Sequence, residues 1–133
     1  MVAKNLIQGS APSPLQKISK TADVLVLCAS QYQPPACLFP GVRVVRAGIR
    51  DDVPTQKEIE IAMLAAYVVA QELHRGKRCL VTCMAGLNRS GLVSGLALRY
   101  LGWSGRDASR AVRAARGQHA LSNPWFRAIV EDT

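Results

Sequence analysis

Apolar positions along this chain fall into blocks of two kinds. "DVLVLCA", residues 23–29, is a short continuous apolar run, the pattern of a strand buried on both faces. "VRVVRAG", 42–48, though broken by Arg43 and Arg46, reads as a second buried strand, and "RCLVTC", 78–83, as a short third. Between the last two the period changes. Apolar or small residues recur at 59, 63, 66, 70 and 73, a helical stripe. "TQKE", 55–58, opens it as a capping box, in which Thr55 accepts from the backbone of Glu58 and Glu58 reaches back; Gly76 closes it. Helical patterns then dominate. One covers 90–101, with Gly102 after it; the next opens at "SGRD", 104–107, and runs to Gly117. A last helix takes Ser122 or Asn123 as its cap and Pro124 in its first turn. "SQYQPPACLFPG", 30–41, has no period and reads as a surface loop.

The strand–helix–strand order predicts an α/β fold, with a mainly parallel central sheet flanked by helices. The 133 residues suit one compact domain, 1–133, and the 49% hydrophobic content can fill its core. The longest apolar run, Ile61–Ala70, is half of the roughly 20 residues a membrane span needs. "MVAKNLIQGSAPS" lacks the apolar stretch of a signal peptide. A soluble, cytoplasmic protein with no membrane partner is expected. Its cysteines, 28, 37, 79 and 83, are then expected to be reduced. No second Cys/His pair follows Cys79 and Cys83, and His74 and His119 stand alone, so neither a metal site nor a cofactor is expected. Cys37 and Cys79 read as small buried hydrophobes. Tyr67, Trp103 and Trp125 read as packing residues.

Lys plus Arg outnumber Asp plus Glu by 17 to 9, a net +8, which favours anionic partners. Arg106, Arg110 and Arg113 fall on one helix face with Arg116 close by. A solvated face is the simpler reading, and a phosphate-contacting stripe is the alternative.

Ligands of open α/β sheets sit beyond the carboxyl ends of strands. Cys83 stands at one such end and Cys28 at another. After Cys83 comes "MAGLNRS", a turn into a helix. The free N–H groups of that helix's first turn and of the loop favour negative charge at one spot. Gly86 lets the loop bend. Arg89 brings a planar fork that suits two phosphate oxygens, and Ser90 adds a hydroxyl. Such a turn can hold a tetrahedral oxyanion and present a thiolate to its central atom, which is nucleophilic catalysis through a cysteinyl-phosphate. A proton donor for the leaving oxygen is also needed, and "RAGIRDDVPT" supplies Asp51 and Asp52 in a loop expected on the same sheet edge. A solvated turn before the capping box is the competing reading of that pair.

"CMAGLNRS" matches Cys-x5-Arg-Ser/Thr, and the chain resembles the cysteine-dependent protein tyrosine phosphatase superfamily, in particular its small dual-specificity phosphatases. "NLIQGSAP" is similar to their opening Leu-x-x-Gly-Ser segment, and "VRAARGQHALSNPWF" to their late Val-Arg…Arg…Asn…Phe segment. The resemblance implies Cys83 as nucleophile, Arg89 as phosphate clamp, and Met84, Ala85, Gly86, Leu87 and Asn88 as the cradle. It implies Ser90 as the residue that assists departure of the thiolate, Asp51 as general acid with Asp52 as runner-up, and Arg116 as a contact to a second phosphate. The family's usual His before the Cys is Thr82 here, which carries no positive charge. The expected activity is hydrolysis of phosphotyrosine, with phosphoserine or phosphothreonine as further substrates, in a protein or peptide. Two alternatives remain: an RNA 5′-phosphatase, because "GLNRSG" resembles the Gly-x-Asn-Arg-Thr-Gly loop of such enzymes, and a weakly active phosphate-binding module. Cys28 reads as a core residue, or as a redox partner of Cys83.

Overall fold

Four parallel strands form one sheet in the order β1-β4-β2-β3, where β1 is Leu6–Gly9, β2 Val24–Ala29, β3 Arg43–Ile49 and β4 Cys79–Thr82. The computed structural model describes residues 1–13 and 15–132. Helix α1, Gln56–His74, connects β3 to β4; α2 (Arg89–Tyr100), α3 (Gly105–Arg116) and α4 (Pro124–Asp132) come after β4. The sheet is thus wholly parallel and flanked by helices, an α/β fold of the expected class. All six residues of β2 are buried, as its continuous apolar run requires of a central parallel strand.

The two faces of the sheet are covered unequally. Val24, Val26 and Cys28 join Leu6, Cys79 and Val81 on the face packed by α1 and α2, with α3 and α4 stacked against α2 and Leu92, Leu96, Val112 and Phe126 in the same core. Leu25 and Leu27 point to the other face, where Ile18, Ala22 and Phe39 close a smaller cluster. Two single turns of 3₁₀ helix, Ile18–Lys20 and Ala36–Leu38, lie in the flanking connections. Truncating Leu96 or Leu92 to alanine in the larger core is expected to cost about 2–5 kcal/mol.

Local signals set the helix ends. Thr55 Oγ1 accepts from Glu58 N at 3.1 Å while Glu58 Oε1 accepts from Thr55 N at 3.0 Å, completing the capping box. Ser104 Oγ accepts from Asp107 N at 3.1 Å at the start of α3. Asn123 is the cap of α4, its Oδ1 accepting from Trp125 N and Phe126 N at 3.0 and 3.2 Å. Gly105 lets the chains of α3 and α4 meet, because a Cβ there would collide with the backbone of Glu131.

The structure departs from the pattern in four places. β1 was not evident as a strand. The centre of α1's buried face is Ala62, Ala65, Ala66 and Val69, and Ile59, Met63 and Leu73 of the expected stripe lie half-buried at its flank. Alanines let the helix sit close to the sheet, and the longer side chains wedge beside it. Cys37 is exposed in the Pro-rich loop, which has no element outside it to cover a thiol. Trp103, Tyr67 and Trp125 are 39%, 49% and 54% exposed, so none is a core residue; Tyr67 stands edge-on to Tyr100, ring centres 5.6 Å apart.

Candidate active site

The segment after β4 is held on three sides. From β1, Gly9 O accepts from Cys83 N at 3.4 Å, and Met84 O accepts from Ala11 N at 3.2 Å. From α3, Arg116 donates to Gly86 O from Nε at 3.0 Å and to Ala85 O from Nη2 at 3.3 Å. From the connection before α4, Leu121 N donates to Leu87 O at 3.3 Å. Gly86 takes φ +73°, in the left-handed region, and a Cβ there would lie 2.6 Å from the Gly9 carbonyl carbon. Only glycine fits this turn.

This wrapping turns the loop's N–H groups onto one sulfur. Cys83 is 3% exposed, and its Sγ lies 3.3 Å from Ser90 Oγ. Burial pushes its pKa up. The Ser90 hydroxyl and the backbone N–H groups of Ser90, Leu87 and Gly86 outweigh that, and the thiol lies below its ordinary value. The activation occurs without a histidine: Thr82 Oγ1 donates to Val26 O at 2.8 Å, across to β2.

Arg89 is the first residue of α2 and is 7% exposed. Its Nη1 donates to Gln31 Oε1 at 2.6 Å and to Ile49 O at 3.2 Å. Those bonds, from the ends of β2 and β3, fix the plane of the guanidinium. Its Nε–Nη2 edge, the one suited to a bidentate oxyanion, makes no hydrogen bond to the described residues.

The loop after β3 is tied to the same place. Asp51 Oδ2 accepts from Asn88 Nδ2 at 3.1 Å and Oδ1 from Asn123 Nδ2 at 3.0 Å. Asn88 Oδ1 in turn accepts from Asn123 N at 3.0 Å. Asp52 turns away, capping Val53 N at 2.7 Å and standing 3.9 Å from Arg50. Arg50 anchors the loop to α1: its N and Nη2 donate to Glu58 at 2.8 and 2.9 Å. That pairing, with the capping-box contacts, holds Glu58 at a pKa of about 2. So Cys83, Arg89, Ser90 and Asp51 lie around one loop, while Arg116 braces it through its carbonyls.

Four contributors to this arrangement were not foreseen: Gln8, Gln31, Asn123 and the Arg50–Glu58 pair. Each acts across a gap in sequence that no local motif spans. Asn123 left a trace only as a candidate helix cap and Glu58 only in the capping box; Gln8 and Gln31 left none.

No family model matches the sequence, and no curated protein matches it. Solved structures do. Tk-PTP in its active form superposes with a TM-score of 0.83 at 23% identity, covering 98% of this chain and 91% of its own. Human DUSP28 gives 0.81 at 26% identity, covering 97% and 90%. DUSP15 gives 0.79 at 20% identity, covering 99% and 84%.

Proposed function

We propose that this chain, a small dual-specificity-phosphatase-like member of the cysteine-dependent protein tyrosine phosphatase superfamily, hydrolyses phosphotyrosine in proteins, and also phosphoserine or phosphothreonine. Phosphatase activity in general is what its structural neighbours support. The observation that carries the mechanism is the sulfur of Cys83, with its pKa lowered by converging N–H groups and by Ser90.

In the first step the Cys83 thiolate attacks phosphorus in line. An S–P bond forms and the P–O ester bond breaks; Asp51 gives its proton to the leaving oxygen. The loop N–H groups and the Nε–Nη2 edge of Arg89 bind the non-bridging oxygens, whose charge grows in the transition state. In the second step water attacks phosphorus and Asp51 takes its proton. The S–P bond breaks, and the Ser90 hydroxyl stabilises the departing thiolate. Arg116, by bracing Ala85 and Gly86, keeps the cradle in shape; contact with a second phosphate is its further proposed role.

Cys83→Ser should abolish turnover yet leave phosphate binding largely intact. Asp51→Asn should lower turnover about 10²–10⁴-fold on a substrate with a poor leaving group, and much less on an activated aryl phosphate. Equal losses on both substrates, or a larger loss from Asp52→Asn, would remove Asp51 from its role. Near-wild-type turnover by Cys83→Ser would remove the covalent mechanism.

One observation favours a second reading. Arg106, Arg110 and Arg113 of α3 line, with Arg127 and Glu131 of α4, a groove of about 490 Å³. Glu131 pairs with Arg127 at 3.2 Å and leaves the three α3 arginines without a carboxylate partner among the described residues. A groove of this charge suits an RNA backbone. A panel of phosphotyrosine and phosphothreonine peptides, inositol phosphates and 5′-triphosphorylated RNA at fixed ionic strength separates the two.

A further inference from the structure

Gln8 is a polar residue in a short edge strand, on the phase that faces the helices. It is 4% exposed. Its Nε2 donates to Gly86 O at 2.9 Å and to Ser90 Oγ at 3.0 Å, with a longer contact to Leu87 O at 3.4 Å. Its Oε1 is buried and has no partner among the described residues. The orientation is set by the loop: reversing the amide would place its oxygen against the Gly86 carbonyl.

The bond to Ser90 decides where a proton goes. A serine hydroxyl has one hydrogen and two acceptor lone pairs. Ser90 is fully buried, and its oxygen accepts from Gln8. Gly86 O, four residues back along the chain, is already taken by Gln8 and by Arg116. The hydroxyl hydrogen is left with one partner among the described residues, Cys83 Sγ at 3.3 Å. Thr82, next to Cys83 in sequence, has its hydroxyl on Val26 O and does not reach the loop.

We propose that Gln8 is a positioning residue for the reaction: from β1 it aims the Ser90 hydroxyl at Cys83 Sγ and locks the Gly86 turn, the loop-ordering task that the residue at 82 does not perform. This rests on the phosphatase reading of the site. Its contribution to stability is small by comparison. Without Gln8, Gly86 O keeps Arg116 and Leu87 O keeps the N–H of Leu121, while the Ser90 hydroxyl is no longer held on Cys83 and can turn to the vacated side of Gly86 O, so every buried polar group still finds a partner. The buried unpaired Oε1 disappears with the amide, which removes a cost. An apolar side chain of the same length would therefore suit the fold and not the chemistry.

The test is Gln8→Met, alone and with Ser90→Ala. Its melting temperature should stay within about 4 °C of the parent. The first readout is the pH dependence of Cys83 alkylation by iodoacetate, with mass mapping afterwards so that exposed Cys37 is counted apart. The midpoint should rise by about one pH unit in Gln8→Met, and should not rise further when Gln8→Met is added to Ser90→Ala. Gln8→Glu keeps the shape and reverses the bond, since a carboxylate accepts the Ser90 proton and turns it from the sulfur; its midpoint should rise further still. The second readout is turnover of an aryl phosphate well above the midpoint. There kcat should fall about tenfold, the factor of one hydrogen bond to a charged group. KM should fall with it, because release of the thiolate slows while its attack does not.

An unmoved midpoint in Gln8→Met, or an equal shift with and without Ser90, overturns the inference. Should Gln8→Met unfold early, Gln8→Glu decides alone: a midpoint shift no larger with Ser90 than with Ser90→Ala also overturns it. Alkylation needs no turnover. A chain that fails as a phosphatase but shows the Ser90-dependent shift loses only the proposed function, and an active phosphatase with an unmoved midpoint loses only the role of Gln8.

Discussion

The ends of β2 and β4 carry the same group in the same row of the sheet. Leu27 pairs with Thr82 in parallel register, Cys28 and Cys83 each follow by one residue, close enough for the charge of one to act on the other, and both side chains belong to the helix-covered core. Their exposures are 0% and 3%. Yet their acidities move in opposite directions. Burial, then the nearby Cys83, pushes the Cys28 thiol up, and Arg89 only partly offsets them. Cys83 is also pushed up by burial but ends below its ordinary value, because donors reach its sulfur from Ser90, Leu87 and Gly86. The difference lies in the segment each strand leads into. β2 runs into a loop whose Gln31 turns to Arg89; β4 runs into a tight loop and the N-terminus of α2. A strand end places a thiol, and the donors after it make the thiolate.

The strongest way to break this contrast is to disturb each loop in turn. Arg89→Lys replaces a fork with a point charge, and kcat/KM should fall by about 10²–10³-fold or more. Cys28→Ala, one strand away, should leave kcat/KM within about twofold. A large loss from Cys28→Ala would mean that the two strand ends act as one site.

Oxidation joins what acidity separates. Adjacent strands lie about 4.8 Å apart, within the Cα separations a disulfide accepts. Peroxide would oxidise the Cys83 thiolate to a sulfenic acid, releasing hydroxide; the Cys28 thiol would then attack that sulfur, its proton leaving with the sulfenic hydroxyl as water, and form the S–S bond. Because burial holds Cys28 protonated, closure should be slow, but thiol should restore activity after it. Mass mapping of peroxide-treated protein should show a 28–83 link, and Cys28→Ala should lose activity irreversibly. Sulfinic acid at Cys83 with Cys28 free would count against it.

The same two thiols should pull stability in opposite directions with pH. Cys83 has a lowered pKa, so the folded state holds fewer protons there, and stability rises with pH from the folded value up to the ordinary value near 8.5. Cys28 has a raised pKa, so its contribution is constant below that ordinary value and stability falls as pH climbs above it. Denaturant unfolding from pH 6 to 10 should show the first slope vanish in Cys83→Ser and the second shrink in Cys28→Ala, the remainder belonging to Cys79, whose thiol burial also pushes up.

Three strands, four helices and the loop from Cys83 to Ser90 were legible because their signals are local: apolar runs, the capping box at Thr55, and a Cys, a Gly and an Arg within seven residues. β1 was not, since "LIQG" is four residues long and Gln8 interrupts its apolar pattern. The placement of Asp51 rests on Asn88, 37 residues away, and Asn123, 72 away, and Arg89 is oriented by Gln31, 58 away. Such contacts exist only once the sheet has brought strand ends together. Trp125 misled for a related reason: an aromatic in an apolar-periodic segment implies packing, and here it borders the shallow depression beside Asp51 instead.

The smallest expected effects concern the arginines, which repeat the contrast on α3. Arg116 touches the activating loop through Gly86 and Ala85, whereas Arg106 lies about 15 Å farther along the helix at 1.5 Å per residue. If the substrate is a phosphopeptide, Arg116→Ala should alter kcat or KM by roughly three- to tenfold, the scale of one charge-assisted bond. Arg106→Ala and Arg110→Ala should stay within about twofold, because exposed charges beyond about 8 Å are screened at physiological salt. If the substrate is RNA, the groove between α3 and α4 should track its phosphates. Log affinity should then fall with log salt by about 0.7 per neutralised phosphate, and each groove substitution should flatten that slope. The peptide is the favoured substrate, since it needs only the loop that separates Cys83 from Cys28. A steep salt slope on RNA, flattened by Arg106→Ala, would show that distant charge matters as much as the loop and would move the substrate to RNA.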